Sequence, residues 1–296
     1  LIEDNNTGMR YQITHTIAYQ YSTSVRLQPH LVRLRPRSDS SQTLHNFSLS
    51  LSPTPIGRSE LIELDGNSIL KVWFAPQPVQ QLEVKAISQV ETYRTNPFDY
   101  LMESWALHLP IDYPMSQSQA LQPYLGDAWV NGSDPVVAQL AQEVYAAVSG
   151  KTDLFLMELN QRIYQHCNYM TRETGDPLLP GITWSQKLGS CRDFAVLFMA
   201  TCRAVGIAAR FVSGYEEGDP DAPERHLHAW AEAYLPGAGW RGFDPTHGLA
   251  VSDRHIALAA SPISRAAAPF VGSFQGNDVQ TTMSYSLSIQ LLANEP

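Results

Sequence analysis

The sequence predicts an α+β protein in which an antiparallel, β-sandwich-like region precedes a core of helices and strands. Three observations carry that reading. Short runs of alternating apolar and polar residues fill residues 9–92, separated by turn signals; a period of two marks half-buried strands. Apolar residues then recur at helical spacing, first at Val136, Leu140, Val144 and Val148, then at Leu156, Leu159 and Ile163. Strand-like runs return after Gly206. Strands, then helices, then strands again, without regular alternation, read as α+β.

The alternation is plainest over residues 11–21, which are rich in Tyr, Thr and Ile. Residues 31–36, 46–53, 69–74 and 82–90 are further strands, and Asp65-Gly66-Asn67 is a turn. His15 lies on the first strand, far in sequence from the other candidates, and reads as a sandwich-core or surface histidine. Residues 96–126 carry four prolines among aromatics and form a connecting segment with short helices. Ser133-Asp134-Pro135 opens a helix that ends at Gly150, and Thr152-Asp153 opens another. Residues 168–180 are a loop. Residues 284–292 alternate Tyr285, Leu287, Ile289 and Leu291, a strand that returns to a sheet of either region.

The centre of the chain is Gly189-Ser190-Cys191-Arg192-Asp193-Phe194-Ala195. Ser190 is the N-cap of a helix starting at Cys191, and Asp193 stands where a capping-box partner belongs. The helix runs to about Ala204 and stops at Gly206. It is apolar almost all round, so it is buried. Cys191 sits in its first turn, where the helix dipole favours a thiolate. A nucleophilic cysteine needs a base, and the base needs an orienting acceptor. His228-Ala229-Trp230 and Asp244-Pro245-Thr246 supply candidates. Between them lies Leu235-Pro236-Gly237-Ala238-Gly239, a turn signal. A hairpin centred on Pro236 sets His228 opposite Asp244, with Cβ atoms about 5 Å apart.

These blocks resemble the core of the transglutaminase-like superfamily, a papain-like Cys-His-Asp group. The motifs are Gly-x-Cys-Arg-Asp at Gly189, His-Ala-Trp at His228, Asp-Pro-Thr at Asp244, and the strand Ala209-Arg210-Phe211-Val212-Ser213-Gly214-Tyr215 between the first two. The likeness covers roughly residues 150–250. It implies a Cys-bearing helix packed on an antiparallel sheet, with Cys191 as nucleophile, His228 as general base and acid, and Asp244 as orienter. His226 is a neighbouring decoy, because the family's histidine directly precedes Ala-Trp. The early region is similar to the N-terminal region of bacterial relatives, in the stretch beginning at His15, in Arg33-Leu34-Arg35-Pro36-Arg37 and in Gly66-Asn67. The expected division is a β domain at 9–95, a connecting segment at 96–130, a catalytic core at 131–250 and a C-terminal segment at 251–296.

The implied chemistry is acyl transfer from, or hydrolysis of, amide bonds in proteins or peptides through a thioester. A non-catalytic binding or scaffold protein that kept the fold is the other class. Tyr169, Trp184 and Gln186 are candidates for an oxyanion donor beside the Cys191 N–H. The acidic stretch at 216–224, with Glu216, Glu217, Asp219, Asp221 and Glu224, reads as a solvated lid at the site that attracts cations. It lacks the residue order of a calcium loop. His226 and His228 alone do not make a zinc site. No metal or other cofactor is expected.

Composition limits the partners. The chain has 296 residues, 44% hydrophobic and 17% charged, with net charge −9 and no Lys/Arg run. That argues against nucleic acid. No apolar stretch reaches the roughly 18 residues of a spanning helix, so no membrane partner is expected. Residues 1–10 lack an apolar signal core, and Met9 is the expected natural start. Cys167, Cys191 and Cys202 do not make a disulfide framework, which fits reduced thiols and a cytoplasmic setting.

Overall fold

A computed structural model describes residues 8–126, 134–172, 174–218 and 226–293. The early strands are β1 (Met9–Leu27), β2 (His30–Val32), β3 (Gln42–Ser52), β4 (Gly57–Ile62), β5 (Ser68–Trp73) and β6 (Val79–Thr92). Helices α1 (Met115–Leu125), α2 (Pro135–Ala147) and α3 (Thr152–His166) follow. The short strands β7 (Asn168–Tyr169) and β8 (Leu188–Gly189) pair in parallel and bracket α4 (Pro180–Gln186). Then come α5 (Cys191–Ala204), β9 (Ala209–Glu216), β10 (Leu227–Leu235), β11 (Gly239–Asp244), β12 (Leu249–Ala250) and β13 (His255–Ser261). The chain ends with β14 (Phe270–Val271), β15 (Phe274–Gln275) and β16 (Thr281–Leu292). This is a mixed α+β fold, as the sequence patterns predict.

Three antiparallel sheets organise it. The first has β3, β6 and β1 in that order, with β16 and then β15 along the other side of β1. The second runs β14-β2-β5-β4. The third runs β12-β11-β10-β9-β13. Tyr11, Ile13 and Ile17 of β1 share one core with Val32 and Val72 of the second sheet, and with Tyr215 and Ile256 of the third. The alternation in the sequence is thus the inward face of β1. A larger core surrounds α5, where Phe194, Leu197, Phe198 and Cys202 pack among α2, α3 and the inner face of the third sheet.

Several elements differ from expectation. β4 shows almost no burial, so its sequence carries no apolar alternation to read. β13, beyond the expected core boundary at 250, is an edge strand of the third sheet, paired with β9. The returning strand β16 pairs with β1 from Arg10↔Leu292 to Tyr21↔Thr281. Ser133 lies outside the described residues; Asp134 caps α2, its carboxylate accepting from the Val136 N–H at 2.9 Å.

The early region grips the third sheet through side-chain amides. Gln42 accepts from the Ala257 N–H at 2.7 Å and donates to the Ala257 carbonyl at 3.0 Å. Asn67 treats Ala260 the same way, at 2.9 and 2.8 Å. Arg37 donates to Asn67 Oδ1 at 2.9 Å, and Arg33 forks onto Glu63 at 3.1 and 2.6 Å. These contacts give a physical reason for the arginines and the Gly66-Asn67 turn: they hold β13 in place.

Candidate active site

The Cys191 helix begins as its sequence predicts. Asp193 is fully buried and accepts from the Ser190 N–H and the Ser190 hydroxyl, each at 2.7 Å. It also takes the Leu178 N–H at 2.7 Å and the Arg172 guanidinium at 2.7 and 2.9 Å. Burial opposes its charge, but these donors outweigh that and hold the carboxyl below its usual range. Asp193 therefore ties the loop before the helix to the turn that carries Cys191. Replacing it with Ala would leave the Arg172 cation and the cap donors unpaired. Asp193→Ala is expected to lower stability by about 3 kcal/mol, read as a fall in the denaturant midpoint. The native pKa is depressed, so this contribution is present above the ordinary carboxylate range and is lost as pH falls through the native value.

His228 and Asp244 come from adjacent strands. The hairpin closes at Leu235↔Gly239, so it centres on Gly237 rather than Pro236. Gly237 has φ 85°, and a Cβ there would lie 2.7 Å from the Leu101 carbonyl oxygen. Continuing this ladder sets Asp244 against Trp230, so His228 and Asp244 are diagonal rather than direct neighbours. The shift preserves the face, because side chains repeat every two residues. Diagonal pairs lie within reach of long side chains. His228 Nε2 is 2.7 Å from Asp244 Oδ2. Its pairing partner on β9 is Gly214, where a Cβ would collide with the Trp230 ring and the Ile256 carbonyl.

Cys191 and His228 line the same cleft, and the thiol acts electrostatically on the imidazole. With Nε2 engaged by Asp244, Nδ1 is the ring atom left for the sulfur. Burial works against charge on His228, but Asp244 and then Cys191 outweigh it and hold its pKa well above the ordinary value. Burial alone would raise the Asp244 pKa; His228 and then His255 hold it far below the usual range. Both groups open on, or lie behind, a cleft of about 420 Å³ lined by Tyr169, Arg192, Cys191 and His228, with His15 and Tyr285 from the first sheet.

The remaining sequence candidates are dispersed. Tyr169 lines the cleft with Cys191, whereas Trp184 and Gln186 do not. His226 also lines the cleft, but is hydrogen-bonded to the Tyr285 hydroxyl. Cys202 is fully buried, and burial pushes its thiol far up. Cys167, nearly buried, is pushed up to about 11 by the same cause. Asp219, Asp221 and Glu224 lie outside the described residues. Glu216 and Glu217 are not the solvated lid residues expected. Glu216 lies 2.9 Å from His247 Nε2 and 3.7 Å from His228 Nε2, and Glu217 accepts from Arg254 at 3.0 Å.

Two groups, His247 and His255, were not legible as site residues, and Glu216, expected in an acidic lid at the site, is instead a partner of the histidines. His255 Nε2 is 3.2 Å from Asp244 Oδ2, so this carboxylate oxygen serves two imidazoles. Its other oxygen takes the Thr246 N–H at 2.9 Å. Burial opposes charge on Glu216, but the His247 hydrogen bond and the His228 charge hold its pKa down. The same hydrogen bond raises His247. Glu216, His228, Asp244 and His255 offer ligand atoms that all lie within 4.8 Å of one another. They could hold a metal ion, but only by separating the His228–Asp244 pair. The only sequence signal for His255 was its place after a short polar turn, which sets no spacing to Asp244.

Fold and site together define a transglutaminase-like α+β protein, with a cysteine helix packed on an antiparallel sheet that carries histidine and aspartate. Residues 138–245 match the model of the transglutaminase-like superfamily, and residues 11–91 match that of the bacterial transglutaminase-like N-terminal region. An uncharacterized protein of Mycobacterium tuberculosis is 27% identical over 298 residues, covering 95% of this chain and 92% of the relative. The crystal structure of a "Putative Cysteine Protease" from Cytophaga hutchinsonii superposes with TM-score 0.72 at 22% identity, over 97% of this chain and 92% of that one. At that identity the likeness speaks for the fold. A Pseudomonas aeruginosa protein-glutamine gamma-glutamyltransferase is 32% identical over 84 residues, 26% of this chain and 13% of its own.

Proposed function

We propose that the protein is a cysteine-dependent enzyme acting on amide carbonyls of proteins or peptides through a thioester on Cys191. The observation that supports this reading is the His228–Asp244 hydrogen bond behind a cleft that Cys191 and His228 both line. Cys191 Sγ, as thiolate, forms a bond to the carbonyl carbon. His228, as imidazolium, gives its proton to the departing amine nitrogen as the C–N bond breaks. Water or a second amine then attacks the thioester and passes a proton to His228, and the thiolate leaves. Water makes the enzyme a peptidase or amidase; an amine makes it a transglutaminase. Asp244 accepts from His228 throughout and stabilises the imidazolium. The Cys191 N–H, at the helix N-terminus, is placed to receive the oxyanion, and Tyr169 is the side chain from the sequence candidates that reaches the cleft.

The test is to incubate the chain with a glutamine-containing peptide and look for a mass increase on Cys191 matching the acyl group. Hydrolysis and amine incorporation are then scored for the same donor. No thioester, and alkylation of Cys191 by iodoacetamide no faster than a free thiol, would reject the reading. A pH dependence follows from the raised His228 value. The imidazolium persists above the ordinary histidine range, so amide acylation is expected to fall only as pH rises through that higher value. The same group contributes stability below its unfolded pKa of about 6.5 and loses it as pH rises through the native value.

A further inference from the structure

The first sheet contributes a wall of the cleft. His15, Ile17 and Tyr19 follow one another at every second position of β1, and all three line the cleft. Across the ladder, Ile17 pairs with Tyr285 and Tyr19 with Met283, and these line it too. Most of this wall is apolar or aromatic. The Tyr285 hydroxyl is already bonded to His226. His15 and the Tyr19 hydroxyl are the members with polar capacity to spare, and His15 is the one whose donor nitrogen can be assigned.

The hydrogen bonding of His15 fixes which way it can act. Its Nδ1 lies 3.1 Å from the hydroxyl of Tyr215, and the rings meet edge-to-face at 5.6 Å. Tyr215 is buried at 1% exposure, and burial holds its phenol far above the ordinary value, so it keeps its proton. Among the described residues, His15 is the hydroxyl's one hydrogen-bond partner. A buried O–H must donate somewhere, so it donates to His15 Nδ1. Nδ1 is then the acceptor nitrogen, and the ring proton sits on Nε2. Burial pushes the ring's pKa down to about 4, so the imidazole is neutral at neutral pH. His15 is only 2% exposed yet lines the cleft, and no described residue is hydrogen-bonded to its Nε2.

We propose that His15 is a substrate-binding residue, donating its Nε2–H to a carbonyl oxygen of a peptide seated in the cleft beside Cys191. A neutral donor on an apolar wall suits a backbone carbonyl rather than an ion: it offers one directed hydrogen bond without a charge to desolvate. The early β region thereby takes part in recognition as well as in bracing the catalytic sheet. Tyr215 is a positioning residue, acting through the tautomer of His15.

This inference rests on the thioester reading, and the experiment separates the two. Acylation of Cys191 is followed as a burst of p-nitrophenol from p-nitrophenyl acetate, which has no peptide carbonyl, and from a series of N-acetyl-dipeptidyl p-nitrophenyl esters, which have two. The wild-type chain is expected to favour the peptidyl esters. His15→Phe keeps an aromatic ring but has no N–H, and the ratio of the peptidyl-ester rate to the acetate rate should fall about tenfold. His15→Gln retains a donor and should recover most of it. Tyr215→Phe frees the ring proton to sit on either nitrogen and should lose part. An unchanged peptide preference in His15→Phe, or an equal loss with both esters in both His15 variants, overturns the inference. No acyl-enzyme from either ester in the wild-type chain rejects the thioester reading, and the inference with it.

Discussion

Cys191→Ala is expected to abolish acyl-enzyme formation completely, while Cys167→Ala and Cys202→Ala keep it. The three thiols occupy different surroundings. Cys191 lines the cleft together with His228. Cys202 has the same helix but no exposure, and burial strongly disfavours its thiolate. It lies three turns along, roughly 16 Å down the axis. Cys167 is nearly buried and pushed up to about 11. Intact-mass spectrometry after incubation with an activated ester reads the result directly. An adduct retained in Cys191→Ala would move the chemistry elsewhere. Cys202→Ala carries a cost of its own, since it opens a void in the core, so its folding must be verified before its labelling is scored.

Asp244→Asn should reduce kcat/KM for amide acylation by about a thousandfold or more. The carboxylate is fully buried and serves His228 and His255 on one oxygen and the Thr246 N–H on the other. An amide can accept on only one side. If its oxygen faces His228, its amino group meets the Thr246 N–H. If the oxygen faces Thr246, the amino group confronts two imidazoles and forces His228 into the wrong tautomer. The lost charge also removes the main influence that raises the His228 pKa. The alkaline limit of acylation should therefore move to lower pH, in the direction of the ordinary histidine value. A folded Asp244→Asn variant with unchanged rate and unchanged pH limit would remove Asp244 from the mechanism.

The sequence was most legible where local chemistry decides structure. Ser190, Asp193 and Gly206 set the ends of the cysteine helix, and the helix runs Cys191–Ala204. The alternation over β1 and β6 follows from one buried face. The hairpin between His228 and Asp244 could be inferred from Pro236 and Gly237, but not its register: the turn residues allow centres at either position, and only packing at Gly237 against the Leu101 carbonyl selects one. β4 was invisible because nothing in it is buried. His247 and His255 were invisible, and Glu216 was read only as part of a solvated lid, because their roles depend on which strands become neighbours. His255 reaches Asp244 only because β13 is laid beside β9, and no spacing in the chain announces that. His15 shows the same limit: distance in sequence suggested a bystander, and the first sheet brings it to the cleft.

The pairing of β1 with β16 also imposes an order in time. Arg10 lies opposite Leu292 in the ladder, so β1 waits for β16, which is made about 270 residues later. Such distant pairings close slowly, because the chain entropy is lost before contacts repay it. The cysteine helix has most of its partners nearer in sequence, among α2, α3, β9 and β10. Met283 and Tyr285, which wall the cleft, arrive with β16. A nascent chain would thus carry its thiol on a finished helix before it owns a place to seat a peptide. Assembly order becomes a safeguard: a half-made molecule has the nucleophile but not the means of presenting a substrate to it. Pulse-labelled hydrogen exchange during refolding is expected to protect the amides of α5 before those of β1, with simultaneous protection speaking against this order.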